Sequence, residues 1–398
     1  MSRVVIIDPI FRGSRLFYTQ MAAGLGDEVT VLTRTDAHTD ASDEAFAGRQ
    51  VDIREVVTTA KDSWYYHLDQ AQMDELGQAM SDVVQDGAPD LLFMSGLDEI
   101  SLGIADILRQ NKARLSRTSI FGVHYTPSIG ARGRIGPLPI PMVLRRFLPK
   151  GRFARLVREF NLLRPQLPGL RIGLLDERVS QKIRPRGLFQ LMPDPPPPAP
   201  DPGEELREAA RSQGGDPTLL LVGRQSMRKG FEDISRLLEQ SRAGIPQEAR
   251  IVLCGRLEED TECHRPLIEA SAPLLVHVDR YLSDAEIRAQ YETADFVMLP
   301  YTPDFAGSSG VLISATSAGA PVIVTDHGLI GQRVRDNGLG FTYPSGDIAA
   351  LARVIERLPA RDSQEYRQMR ERCLAFAERN SVETFQAKLK DTIGAHNE

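Results

Sequence analysis

The stretch from Asp295 to Asp326, DFVMLPYTPDFAGSSGVLISATSAGAPVIVTD, constrains the fold more than any other part of the chain. Phe296 to Leu299 is a short apolar run of strand character stopped by Pro300. The loop Asp304-Phe305-Ala306-Gly307-Ser308-Ser309-Gly310 follows, and Val311 to Ala318 supplies a helical run. Gly319 closes that helix, Pro321 forbids its continuation, and Val322 to Val324 starts a second strand. Strand, loop, helix and strand in this order make the repeating unit of an α/β protein. Two glycines around two serines at a helix start also suit an anion. Missing side chains let a ligand approach the backbone, and the first helical N–H groups have no partner inside the helix. An ordinary βα turn has the same look, so the loop alone leaves both readings open.

At 398 residues the chain exceeds what one hydrophobic core serves, which predicts two domains. Its 41% apolar and 26% charged residues exclude a disordered or fibrous chain. The three cysteines, Cys254, Cys263 and Cys373, are scattered and odd in number, so a disulfide framework is not expected. Cys263-His264 has no second pair at zinc spacing, and no metal site is expected. With no apolar run of about 18 residues and no signal-peptide pattern after Ser2-Arg3, the expected location is cytoplasmic. Charge is uneven. From Arg132 to Arg186 there are 14 Lys/Arg against 3 Asp/Glu, a local +11 in a chain of net −6. Such a block suggests a surface that meets something anionic, including the inner membrane surface.

The β/α rhythm runs through both halves. Val4 to Ile7 is a continuous apolar run of a buried parallel strand, and Gly13-Ser14 follows near its carboxyl end. There the pair reads either as a ligand contact or as a turn glycine with a helix N-cap. The GxGxxG fingerprint of dinucleotide folds is absent. Further strands are expected at Val29 to Leu32, Val51 to Val57, Asp90 to Met94, Ser119 to Val123, Leu170 to Leu175 and Gly187 to Leu191. His124 stands just past one of them, where open α/β sheets bind ligands, although a lone histidine is more often structural. Pro139 to Phe160 mixes apolar and cationic residues at near-helical spacing. It reads as a helix packed on the sheet with a solvated arginine face, or as one lying on an anionic bilayer. Nucleic acid is disfavoured, because no aromatic platform accompanies the arginines. The proline-rich run near residues 193–203 is the best domain boundary. After it, strands are expected at Leu219 to Val222, Ile251 to Cys254, Leu274 to Val278, Phe296 to Leu299, Val322 to Val324 and Gly340 to Pro344. A capping box, Ser283 with Glu286, opens the helix before Asp295.

Val222-Gly223-Arg224 with Lys229-Gly230, Gly255-Arg256, the Tyr281 to Ala294 helix, the glycine-serine loop, Gly319-Ala320-Pro321 and Gly338-Leu339-Gly340-Phe341 occur in a set order. In this the chain resembles the GT-B fold, and its second half resembles the retaining glycosyltransferases of family 4. The resemblance implies an α/β protein of two Rossmann-like domains whose parallel sheets face across a cleft. It divides the chain into 1–192 for the acceptor, a linker at 193–203, 204–375 for the nucleotide-sugar, and a C-terminal segment 376–398 crossing back to the first domain.

The resemblance also implies roles. Arg224 and Lys229 match the cationic pair that holds the donor diphosphate, and two cations at a strand's carboxyl end can neutralise charge growing on a departing nucleotide. Gly307, Ser308, Ser309, Gly310 and Val311 would cap the same diphosphate. Gly255-Arg256 and Arg280-Tyr281-Leu282 match the base-binding segments, His124 a histidine near the sugar, and Gly13 with Ser14 the first loop. The family pattern carries a glutamate at each of two positions occupied here by Ala306 and Ser314. Asp304 is the nearest acid to the first, and Ser314 would meet the ribose. The expected activity is transfer of a hexose from a UDP- or GDP-linked sugar to a glycan or lipid-linked hydroxyl, with retention and without cofactor or metal. The rival readings are a non-catalytic GT-B-like scaffold of a glycan-assembly pathway, supported by the two lost glutamates, and a sugar-nucleotide epimerase.

Overall fold

The structure is a computed structural model that describes residues 2–11, 13–35, 46, 50–57, 68–100, 103–125, 151–180, 187–240, 248–305 and 307–394. It divides into two compact units, Met1–Pro193 with Val382–Glu398, and Asp194–Ser381. The proline-rich residues from Asp194 onward therefore belong with the second unit. The return to the first begins at Val382 rather than at 376, because Phe376 is buried in a core of the second unit.

Among the described residues the first unit holds a parallel sheet of β1 (Arg3–Asp8), β2 (Glu28–Arg34), β3 (Asp52–Val57), β4 (Leu91–Met94), β5 (Ser119–His124), β6 (Leu170–Leu174) and β7 (Phe189–Leu191). Their order is β3-β2-β1-β4-β5-β6-β7. The second unit holds β8 (Thr218–Val222), β9 (Arg250–Cys254), β10 (Leu275–Val278), β11 (Phe296–Leu299), β12 (Val322–Thr325) and β13 (Gly340–Tyr343), ordered β10-β9-β8-β11-β12-β13. Alternation explains why the central strands are apolar throughout. Val5 and Ile7 enter one core and Val4 and Ile6 the other, so helices must cover both faces. Leu219 and Leu221 are divided from Leu220 and Val222 in the same way.

Each sheet is wound outward from its middle, so strand order reverses between β1 and β4 and again between β8 and β11. At such a point the two loops leaving neighbouring strands diverge and open a crevice at their carboxyl ends. Helices not expected from the sequence include Ile104–Gln110, Gly203–Gln213 and Gly328–Asn337, with the short Leu97–Ile100, Glu177–Ser180 and Arg265–Ala270. The first helix, Gly13–Ala23, starts earlier than expected and takes Gly13 and Ser14 into its first turn. In the basic segment, residues 126–150 and 181–186 lie outside the described residues. The described part, the helix Gly151–Leu163, buries Leu156, Phe160 and Leu163 in the core beneath the sheet. Arg155 and Arg158 face solvent, as in the reading of a helix packed on the sheet.

Candidate functional site

The crevice between β8 and β11 collects most of the residues singled out above. β8 is buried along its whole length and is followed by Gly223, whose φ of +95° lies in the region that favours glycine. A Cβ at Gly223 would lie 2.9 Å from Lys229 Nζ, so the absent side chain is what gives the ammonium its place. Lys229 closes a single helical turn, Met227–Lys229, and Gly230 follows at φ +78°. A Cβ on Gly230 would come within 1.6 Å of the Pro300 carbonyl oxygen, so this close approach presses the loop after β8 onto the loop after β11. Thr302 seals the contact, its N–H and hydroxyl both donating to the Arg228 carbonyl at 3.2 and 3.0 Å. The Arg228 guanidinium also lies over the Phe305 ring, 5.2 Å from its centre.

Burial, then the charges of Arg228 and Arg224, press the Lys229 pKa down to about 8, with Glu258 pulling the other way. Arg224 pairs with Glu258 through Nε at 3.1 Å, half exposed to water. An exposed pair of this kind is worth little, so an anion could take the guanidinium from the carboxylate. The loops after β8 and β9 are laced together. Gly223 N–H donates to the Cys254 carbonyl at 2.9 Å, Gln225 N–H to the Arg256 carbonyl at 2.9 Å, and the Gln225 amide to the Gly223 carbonyl at 2.6 Å.

On the β11 side, Ser309 caps the Gly310–Ser317 helix, its hydroxyl accepting from Leu312 N–H at 3.3 Å. Space beside Gly310 is open, since a Cβ there would meet nothing within 4 Å. Ser308 is turned inward, its hydroxyl donating to Asp194 and accepting from Arg333 Nη1 at 2.7 Å. Ser314 is half-buried on the same helix, and Asp304 is exposed in the preceding loop. Ala306 lies outside the described residues.

The remaining residues fall into two groups. Arg256 stacks on Tyr281, 4.8 Å from the ring centre, and Tyr281 is 66% exposed. Arg280 pairs with Glu286 at 2.6 Å, fastening the segment that holds Tyr281 and Leu282 to the capping box at Ser283. His277 donates from Nε2 to the Gly255 carbonyl at 3.0 Å and His327 to the Tyr301 carbonyl at 2.6 Å, so both brace loops. Burial pushes the Cys254 thiol up to about 12, which keeps it an inert packing group.

The second group lies in the first unit. His124 ends β5, is 3% exposed and places Nδ1 3.4 Å from Asp98 Oδ1. Asp98 also accepts from Tyr125 N–H at 2.8 Å. The crevice between β1 and β4 is walled by Asp8, whose buried carboxylate accepts from Phe11 N–H at 2.8 Å and from the Thr19 hydroxyl at 2.6 Å. Burial raises its pKa against those hydrogen bonds. Gly13 and Ser14 begin the helix that follows β1. Reasoning from sequence missed Asp8, Asp98, Asp194, Glu258 and Arg333. Asp8 carried the one available signal, an acid directly after a buried strand. Among the described residues no group of three or more His, Cys, Asp or Glu is placed to hold a metal ion, and no helix is long and apolar enough to cross a membrane.

With this geometry in view, comparison with known proteins decides the fold. Residues 203–374 match the family model described as glycosyl transferases group 1. A structure of Alr3699/HepE from Anabaena in complex with UDP aligns over 99% of this chain and 100% of its own, with TM-score 0.68 and 14% identity. Sucrose-phosphate synthase from Thermosynechococcus elongatus aligns over 99% of both chains, with TM-score 0.66 and 15% identity. WaaG, a glycosyltransferase involved in lipopolysaccharide biosynthesis, covers 98% of this chain and 99% of its own, with TM-score 0.57 and 15% identity. The chain has the GT-B fold. The residues similar to the group 1 glycosyl transferase model all lie in its second unit. No curated protein sequence matches it.

Proposed function

We propose that this protein is a glycosyltransferase that moves a hexose from a nucleoside diphosphate sugar to an acceptor hydroxyl with retention, without a metal. The carrying observation is the Lys229 ammonium seated over Gly223 at the reversal point of the second sheet, on a loop pressed against the loop after β11 that leads to the open start of the Gly310–Ser317 helix. Cation and helix start together suit a diphosphate, and a leaving diphosphate is where negative charge grows as the glycosidic bond breaks. In this reading Arg224 leaves Glu258 for the same phosphates, and the Arg256–Tyr281 stack offers a face to the nucleobase. Ser314 reaches toward the ribose and Asp304 toward the sugar. UDP is the first nucleotide to try, because a neighbour of the same fold was solved with it.

Retention is proposed to proceed on one face of the sugar, the departing phosphate oxygen accepting the acceptor's proton. Such a scheme asks of the protein a place for the phosphate charge and no nucleophile. Acceptor recognition is assigned to the first unit, with His124 and Asp98 as its polar pair and Gly13-Ser14 at its first loop. A glycan or lipid-linked acceptor agrees with the basic 132–186 segment, which would bring the protein to the cytoplasmic face of the inner membrane. One observation favours the scaffold reading: Ser314, on the helix at the donor crevice, carries no carboxylate.

The test is calorimetric titration with UDP, GDP and ADP of wild type and a Lys229→Ala variant. One nucleotide binding tightly, and weakly in the variant, is the expected result. No binding by any of the three would hand the lead to the scaffold reading.

A further inference from the structure

Arg333 is a guanidinium only 3% exposed, on the Gly328–Asn337 helix. Its Nη1 donates to Ser308 Oγ at 2.7 Å and lies 3.3 Å from Asp194 Oδ2. The Ser308 hydroxyl donates to that same carboxylate oxygen. Asp194 is the first residue of the second unit, and its N–H donates to Asn380 Oδ1 at 3.1 Å, next to where the chain leaves that unit again. A buried ion pair is a poor way to gain stability, since desolvation offsets most of the attraction. What it supplies is direction. The guanidinium plane and the carboxylate admit one placement of the hydroxyl between them. Ser308 immediately precedes Ser309, the N-cap, so the hydroxyl's placement fixes how the first turn of the Gly310–Ser317 helix faces.

We propose that Asp194 and Arg333 are positioning residues that grip Ser308 from behind and aim the amides of the helix start at the donor's diphosphate, an assignment that rests on the donor reading above. Because the pair is neutral as a unit, the charge met by the ligand is left to Lys229 and Arg224. The clamp acts through geometry alone, and it ties the donor loop to the residue at which the chain enters the second unit.

Removing Asp194 or Arg333 alone strands a buried charge and endangers folding, so the informative variant is Ser308→Ala, which leaves the ion pair in place, with Ser308→Thr restoring the hydroxyl. Hydrogen exchange on the full chain and UDP titration are read together, with thermal melting as the check on global stability. The expected result for Ser308→Ala is faster exchange at the amides of 308–312 and UDP binding weaker by about tenfold, the scale of one hydrogen bond to a charged group. In Ser308→Thr both return toward wild type. Wild-type exchange in the alanine variant overturns the clamp, and so does a loosened loop with unchanged UDP affinity. A wild-type protein that binds no nucleotide overturns the donor reading instead. That failure shows before any variant is made, and exchange in Ser308→Ala then still decides whether the clamp holds the loop.

Discussion

At the residue scale, the ammonium of Lys229 occupies space that any side chain on Gly223 would fill. Two consequences follow from how it is held. Its pKa, pressed to about 8 by burial and by Arg228 and Arg224, puts its titration within reach of ordinary buffers. The charged form exists below that value, so on the proposed reading affinity for a diphosphate should be greatest near pH 7 and decline as pH rises through 8. A bound anion favours the ammonium and raises its pKa, so binding at pH 8 takes up a proton. Titration of UDP in two buffers of different ionisation enthalpy should show that uptake in wild type and none in Lys229→Ala. The variant should also bind UDP about 10- to 100-fold more weakly at pH 7, as expected for loss of a charge-assisted hydrogen bond. Equal affinity at pH 7 and 9 in wild type would remove Lys229 from the site. Gly223→Ala tests the seat rather than the cation. It adds a methyl against Nζ at a φ that L-residues resist, and should weaken UDP binding with Lys229 intact.

At the scale of elements, the helix start at Gly310 and the turn at Gly230 shape the crevice. Ser309→Ala removes the N-cap and should lower stability by about 1 kcal/mol in chemical denaturation. Gly230→Ala forces a methyl into the Pro300 carbonyl and should cost about 1–3 kcal/mol, with the loops after β8 and β11 moved apart. A Gly230→Ala protein as stable as wild type would mean that the two loops are not pressed together. These elements were legible beforehand for a physical reason. A parallel strand buried on both faces must read as an unbroken apolar run, as Leu219 to Val222 and Phe296 to Leu299 do. The Gly203–Gln213 helix escaped notice because it buries only Ala210, and Gly328–Asn337 because glycines interrupt its pattern. Arg224, Lys229 and Gly307 to Gly310 were singled out by the resemblance to family 4 glycosyltransferases, since glycine spacing alone left an ordinary βα turn equally open. The Asp194–Ser308–Arg333 contacts could not be found that way, since Asp194 lies more than a hundred residues from both its partners with no periodicity to betray them.

At the scale of the whole molecule, the chain leaves the first unit at Pro193 and comes back at Val382, so that unit is completed last. The returning helix, Val382–Gly394, seats Phe385 and Leu389 with no exposed surface in the core that holds Tyr18 and Met21. The Phe385 and Tyr18 rings meet edge to face at 5.1 Å, and Gln386 donates to the Met21 carbonyl at 3.3 Å. The cores of the second unit include neither Phe385 nor Leu389. Phe385→Ala should therefore take about 3–5 kcal/mol from the first unit alone, the range for emptying an aromatic site in a core. Calorimetry should show one transition moving to lower temperature while the other stays, as independent cores permit. On the proposed donor reading, UDP should raise only the transition that Phe385→Ala left in place. A single transition that shifts as a whole with both the substitution and the nucleotide would mean that the two units melt as one, and that the last helix stabilises the donor crevice as much as the core it completes.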